Sequence, residues 1–291
     1  TRADYFLQLD SLELRNFTQS KFNIFPYFAF NKNSPTNFEE SNVGAEIFYS
    51  SGKGSQINLT VNPDFGQAES DDVIVNFSAQ ETFYKEKRAF FNENQSLFDI
   101  SNYDRYSVIN TRRIGARPTY DCSMSSNEEE CNDPKKNYSD IDYSFRFTQK
   151  NDLSNYGLFV AQESDEDFSK GRKFIALRGK TKIDSRSFGY MVTNVENDIA
   201  DSESTVNVID YINVRSKKLT TYADLLTTKK NDETGKGMRL QYTYKPSDLT
   251  RNSASFLYFD KDFQINDFGY LKKSDWMHFG LGHNIKKIDY P

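Results

Sequence analysis

Seven carboxylates, Asp64, Glu69, Asp71, Asp72, Glu81, Glu86 and Glu93, crowd residues 64–93 of this chain. Two carboxyl groups about 5 to 9.5 Å apart would supply the acid and base of a glycosidase. The same stretch and its sequel carry Lys85, Lys87, Arg88, Arg112, Arg113 and Arg117, and charges withdrawn from water need partners of opposite sign. The favoured reading is structural: Asp64, Glu69, Asp71, Glu81 and Glu86 form a charged network with Lys87, Arg88, Arg112 and Arg113. The alternative keeps a carboxylate pair from 64–93 as the catalytic groups of an all-β carbohydrate-active hydrolase. A calcium site would need oxygen ligands at a regular loop spacing, which these residues lack.

Other chemistry-bearing residues are few. His278 and His283 stand five apart on a predicted strand, so they point to opposite faces and cannot jointly hold a metal from it. Cys122 and Cys131 are the only cysteines and lie in a polar loop, 121–137. With no histidine nearby, zinc would be short of ligands, so a disulfide is expected, and with it an oxidising compartment. The chain has no nucleophile elbow, phosphate loop, dinucleotide fingerprint or H-E-x-x-H motif, and no cofactor or metal is implied.

The elements that must position these groups are strands. Aromatics reach 15%, with 25 Phe and 18 Tyr against one Trp, while mean hydropathy is only -0.76. A disordered chain lacks such aromatics, and a helical protein would be richer in Leu and Ala. Ser55–Val61, Tyr143–Thr148, Met238–Tyr244 and Met277–Ile285 alternate apolar with polar or small residues, giving each strand a greasy face and a wet one.

Turn signals at Asn151-Asp152, Asp184-Ser185, Asn197-Asp198, Asn231-Asp232 and Lys245-Pro246-Ser247-Asp248 space these strands at about ten residues, enough to cross a bilayer when tilted. About twelve strands are expected, most of them after residue 140, in an up-and-down order. The expected fold is an all-β antiparallel meander forming a segment of an outer-membrane β-barrel, with 62–118 as an irregular polar plug. Residues 1–20 read as a linker and 21–291 as the barrel segment. The absence of a long apolar stretch says nothing against a barrel, because its lipid-facing residues alternate with polar ones. Net charge is -5 with both signs dispersed, so nucleic acid is not an expected partner.

Several ordered segments carry a family resemblance. They are Asn62-Pro63-Asp64-Phe65-Gly66-Gln67, Glu86-Lys87-Arg88, Phe90-Phe91, Arg112-Arg113-Ile114-Gly115 and Phe268-Gly269-Tyr270-Leu271. Together they resemble a Gram-negative family of unknown function whose members look like outer-membrane β-barrels following a family-9-type carbohydrate-binding module. The chain departs from that pattern at Lys85 and Ala89, where prolines usually flank the E-K-R triplet, and at Asn92-Glu93-Asn94, where L-E-G is usual. The resemblance implies outer-membrane lipid as surroundings and a saccharide-like solute to bind or pass. It also implies an upstream module and further strands outside the chain, whose two ends read as cuts in a longer protein with any signal peptide removed.

Overall fold

The computed structural model describes residues 19–33, 38–64, 75–78, 80–93, 95–102, 105–124, 138–165, 168–215 and 218–286. Numbered in chain order, the early strands are β1 (Lys21–Asn33), β2 (Phe38–Ser50), β3 (Ser55–Val61), β4 (Ser101–Asn102) and β5 (Tyr106–Ser107). The meander continues as β6 (Ile141–Lys150), β7 (Ser154–Glu163), β8 (Lys173–Ile183), β9 (Arg186–Asn197), β10 (Ser202–Arg215), β11 (Leu219–Lys230), β12 (Glu233–Ser247) and β13 (Thr250–Phe259). It ends with β14 (Tyr270–Leu271) and β15 (Trp276–Ile285).

Twelve of these strands form one antiparallel sheet in the order β1-β2-β3-β6-β7-β8-β9-β10-β11-β12-β13-β15. The chain is therefore the all-β up-and-down meander that the two-residue period implies. Short connections join antiparallel neighbours, and Asp184 (φ 53°) and Asn231 (φ 52°) take the left-handed conformation that Asn and Asp tolerate in such turns. The turn signal at 245–248 is misplaced. Strand β12 runs through Pro246 to Ser247, with a register shift between Tyr244 and Ser247, which is where a residue without an N–H is accommodated in a ladder.

β4, β5 and β14 make a small separate sheet, and with it the described residues of the segment between β3 and β6, the insert, pack against one face of the large sheet. That face is concave. Asn58 of β3 donates to Glu93, while Arg105 stacks on Trp276 of β15. In a flat sheet those strands, nine positions apart, would be separated by about 43 Å. The residues between Glu93 and Arg105 pass through the 3-10 turn Gln95–Leu97 and would barely cover that distance fully stretched. Phe268, in the connection before β15, likewise lies 6.0 Å from the Phe159 ring on β7 and 5.1 Å from the Phe174 ring on β8. The sheet curls around the insert, and β1 and β15 are its two edges.

The greasy and wet faces are disposed opposite to a soluble sandwich. Register sets Tyr190, Ile209, Leu225, Met238, Tyr258 and Met277 side by side on the convex face across six strands. Of these, Ile209, Leu225 and Met277 are 58%, 55% and 69% exposed. The next row, Phe188, Tyr211, Ala223, Leu240, Phe256 and Phe279, is also apolar. On the concave face Phe159, Phe174, Met191, Val208, Leu226 and Phe259 join Phe91, Leu97, Tyr106 and Ile114 of the insert in the main core, and Arg146, Arg178, Asp210, Asp224 and Arg239 are buried beside them.

Candidate functional site

Local sequence fixes the insert from within. Glu86 and Arg88 face each other across Lys87: Arg88 Nη2 donates to Glu86 Oε2 at 2.7 Å and Nε to Oε1 at 2.9 Å. The backbone N–H groups of Lys87 and Arg88 and the Thr111 hydroxyl add three more donors to the same carboxylate. Arg88 also donates to the carbonyls of Ile114 (2.9 Å) and Thr111 (2.7 Å), and its guanidinium lies over the Phe91 ring at 4.2 Å. The single helical turn α1 (Ala89–Asn92) follows and buries Phe90 and Phe91. Burial alone would push the Glu86 carboxyl up, but the hydrogen bond and charge of Arg88, with Thr111, hold it below the usual carboxylate range.

The R-R-I-G stretch ties the insert to its surroundings. Arg113 donates to Glu81 (2.6 Å) and to the Gly269 carbonyl (3.0 Å). Gly115 takes φ +76°, a conformation that favours glycine, and its N–H donates to Glu163 at the end of β7 (2.8 Å). Glu163, 1% exposed, is also gripped at both oxygens by Arg172 (2.8 and 2.7 Å).

Among the residues expected to share a network, the structure thus joins Glu86 to Arg88 and Glu81 to Arg113. Lys87 and Arg112 enter through backbone N–H groups, to Glu86 Oε1 (3.0 Å) and Asn110 Oδ1 (3.3 Å). Asp64 lies beside Tyr27 of β1, whose hydroxyl accepts its backbone N–H at 2.9 Å. Glu69, Asp71 and Cys131 lie outside the described residues. Cys122 opens a 3-10 turn, Cys122–Met124. His278 lies on the concave side, opposite Leu257, and His283 bonds Asn252 across the neighbouring strand at 2.6 Å. No cluster of metal-binding side chains occurs among the described residues.

A further charged assembly, on the sheet itself, was missed by sequence reasoning. Register places Lys180, Gly189, Asp210, Asp224 and Arg239 in one row across β8 to β12. Asp210 and Asp224 are directly opposed, an arrangement that destabilises unless compensated. Compensation comes from both sides: Arg178 Nη1 lies 2.5 Å from Asp210, and Arg239 Nε 2.7 Å from Asp224. Tyr106 of the insert donates its hydroxyl to Asp224; burial, then the Asp224 charge, pushes that phenol well above its ordinary value. Arg178 reaches Asp210 over Gly189, where an added Cβ would lie 2.4 Å from the Asp210 carboxylate and 2.5 Å from the guanidinium. The available signal was a charge on the face opposite the apolar row, as at Asp210 between Ile209 and Tyr211.

One cavity borders this assembly and another borders the Glu86 network of the insert. One, of about 440 Å³, is lined by Arg178, Lys180, Asp210, Tyr222, Asp224 and Arg239 together with insert residues. The other, of about 320 Å³, is lined by Phe83, Tyr84, Glu86, Phe91, Asn92 and Arg146 among others. Aromatic faces beside amide and charged groups can hold a polar, ring-shaped solute.

Fold and site together define a curled antiparallel wall with a charged, ligand-sized interior filled by its own insert. A family model described as a domain of unknown function, DUF5916, matches residues 18–141. No curated protein matches the chain. Among solved structures it is similar to the outer-membrane protein OmpT of Vibrio cholerae in its trimer form, at 12% identity over 91% of this chain and 99% of that one, with a TM-score of 0.38. It is also similar to an anion-selective porin from Comamonas acidovorans, at 10% identity over 91% and 98%, with a TM-score of 0.40.

Gly189→Ala should destabilise the folded protein by about 1–3 kcal/mol in urea titration, because the new methyl displaces a packed ion pair. Gly179→Ala, where an added Cβ meets nothing within 4 Å, should change little; equal effects would refute the spacer role of Gly189. For Glu86, a folded-state pKa below the unfolded one gives stability that is complete above the ordinary carboxylate pKa and is lost as pH falls through the depressed value. The stability difference between wild type and Glu86→Gln should therefore be full at neutral pH and shrink below about pH 4. A pH-independent difference would contradict the pairing with Arg88.

Proposed function

We propose that the chain is the wall and internal plug of an outer-membrane β-barrel of a Gram-negative bacterium that binds or passes an extracellular, saccharide-like solute. The observation that carries this reading is the inversion of the two faces. Contiguous exposed apolar rows across β9 to β15 suit lipid, whereas buried arginines and aspartates suit a polar interior. The edges β1 and β15 would be completed by further strands beyond this sequence, since closure alone removes sheet edges. An upstream family-9-type carbohydrate-binding module is the expected companion.

The rims differ in a way that supports an orientation. Connections 51–54, 151–153, 184–185, 216–218 and 248–249 at one rim are all short, whereas the other rim carries both long ones, 62–140 and 260–275, beside shorter ones such as 198–201 and 231–232. Bacterial barrels keep short turns periplasmic and long loops outside, so the insert would enter the lumen from the extracellular rim. The hydrolase reading is weaker, because a general acid needs a raised pKa, whereas Glu86 is held low and Glu81 is committed to Arg113. A disulfide between Cys122 and Cys131 belongs to the same exported setting.

In detergent the protein should migrate faster unheated than boiled, and Leu225→Arg on the exposed apolar row should cost about 2–4 kcal/mol in a bilayer if it sits near the midplane. A monodisperse, detergent-free monomer indifferent to that substitution would overturn the membrane reading. Liposomes carrying the protein should swell in isosmotic oligosaccharide faster than empty ones, and no gain in rate would overturn passage. Alkylation without reductant should leave the intact mass of the exported protein unchanged, and labelling of both thiols would contradict the disulfide.

A further inference from the structure

Among the described residues, most arginines facing the interior meet a carboxylate or backbone carbonyls. Arg88, Arg113, Arg172, Arg178 and Arg239 each pair with a carboxylate, and Arg146 donates to the carbonyls of Phe90 and Glu93. Arg105 is different. Its guanidinium lies over the Trp276 indole, 5.6 Å from the ring centre, and its Nη2 is 3.5 Å from His278 Nε2. Neither contact offsets its charge as a carboxylate would.

The fold brings further cations to the same place. Leu271 pairs with Tyr106, and the Lys272 N–H donates to the Arg105 carbonyl at 2.9 Å. Lys272 and Lys273 are thereby carried to Arg105 at the start of β15. The recess between them has a volume of about 390 Å³ and is lined by Gln80, Arg105, Lys272, Lys273, Trp276 and His278. Every charged group on that lining is a cation, whereas the lining of the 440 Å³ cavity combines arginines with aspartates.

We propose that this recess binds a small oxyanion: a phosphate or sulfate, or the carboxylate of an acidic sugar. The guanidinium offers a planar donor pair suited to such a group, and Lys273 supplies a point charge. The volume falls within the range of small-molecule sites and has room for a sugar ring behind the acid. The amide of Gln80 is a donor and acceptor for a neutral hydroxyl. The site depends on the recess alone and not on passage through the barrel.

Trp276 is the only tryptophan in the chain, so its fluorescence reports directly on the recess. Folded protein in detergent would be titrated with inorganic phosphate, sulfate, galacturonate and neutral galactose, with sodium chloride as an ionic-strength control. Saturable changes with phosphate, sulfate and galacturonate, absent with galactose and chloride, are expected. Saturation by galacturonate alone would assign the site to acidic sugars, and saturation by the inorganic anions alone would assign it to those. Lys273→Gln, which leaves the indole contact in place, and Arg105→Gln should each weaken binding about tenfold or more, read as loss of one charge-assisted contact. Both variants should keep the heat-shifted migration of the wild type. A response no different from chloride, equal binding of galactose and galacturonate, or unchanged affinity in both folded variants would overturn the proposal.

Discussion

Arg146 on β6, Arg178 on β8 and Arg239 on β12 project from the concave face and are buried there. The insert meets them with its backbone: Arg146 donates to Phe90 and Glu93, Arg178 to Leu97 at 3.1 Å, and Arg239 to Ser101 at 2.6 Å. A buried cation stripped of its partners costs about 3–5 kcal/mol, so the wall requires the insert as much as the insert requires the wall. Carbonyls, unlike side chains, are present whatever the residue. The constraint therefore fixes the path of residues 90–101 across the sheet without demanding a particular sequence there.

The remaining charges follow from that arrangement. Arg178 and Arg239 each also serve a carboxylate, which allows Asp210 and Asp224 to stand opposite one another on neighbouring strands. Within the insert, Glu86 and Arg88 hold the carbonyls of Thr111 and Ile114, so the segment reaches the wall already folded back on itself. Replacing such assemblies with apolar residues of equal volume is often neutral or stabilising. What the charges add is a defined set of contacts, each guanidinium of the wall donating to a particular carbonyl of the insert.

Much of the wall was legible, because period-two patterning is a local property and register follows from short turns. The twelve-strand meander, its antiparallel neighbours and the turns at Asp184 and Asn231 could all be read from residue type. The placement of the greasy face outward could be inferred only through the length of the strands and a resemblance. Glu86 and Arg88 were named as possible partners because they are close in sequence. Arg178, Asp210, Asp224 and Arg239 were not, because their proximity arises from register across five strands and from the missing side chain at Gly189. The turn signalled at 245–248 falls later, at 248–249, for a related reason: Pro246 is a turn signal locally but is absorbed by a register shift between paired strands.

The most direct measure of the mutual dependence of wall and insert is amide hydrogen exchange on the folded protein in detergent. The N–H groups of Phe98, Val108 and Ile114 donate within the insert to Gln95, Ile100 and Thr111, and those of β8 to β12 donate within the sheet. If guanidinium–carbonyl contacts join the two into one unit, the insert amides open with the same free energy as those strands, and Arg146→Met lowers protection in the insert and the wall together. Insert amides that exchange like a free peptide beside a protected wall would contradict the account.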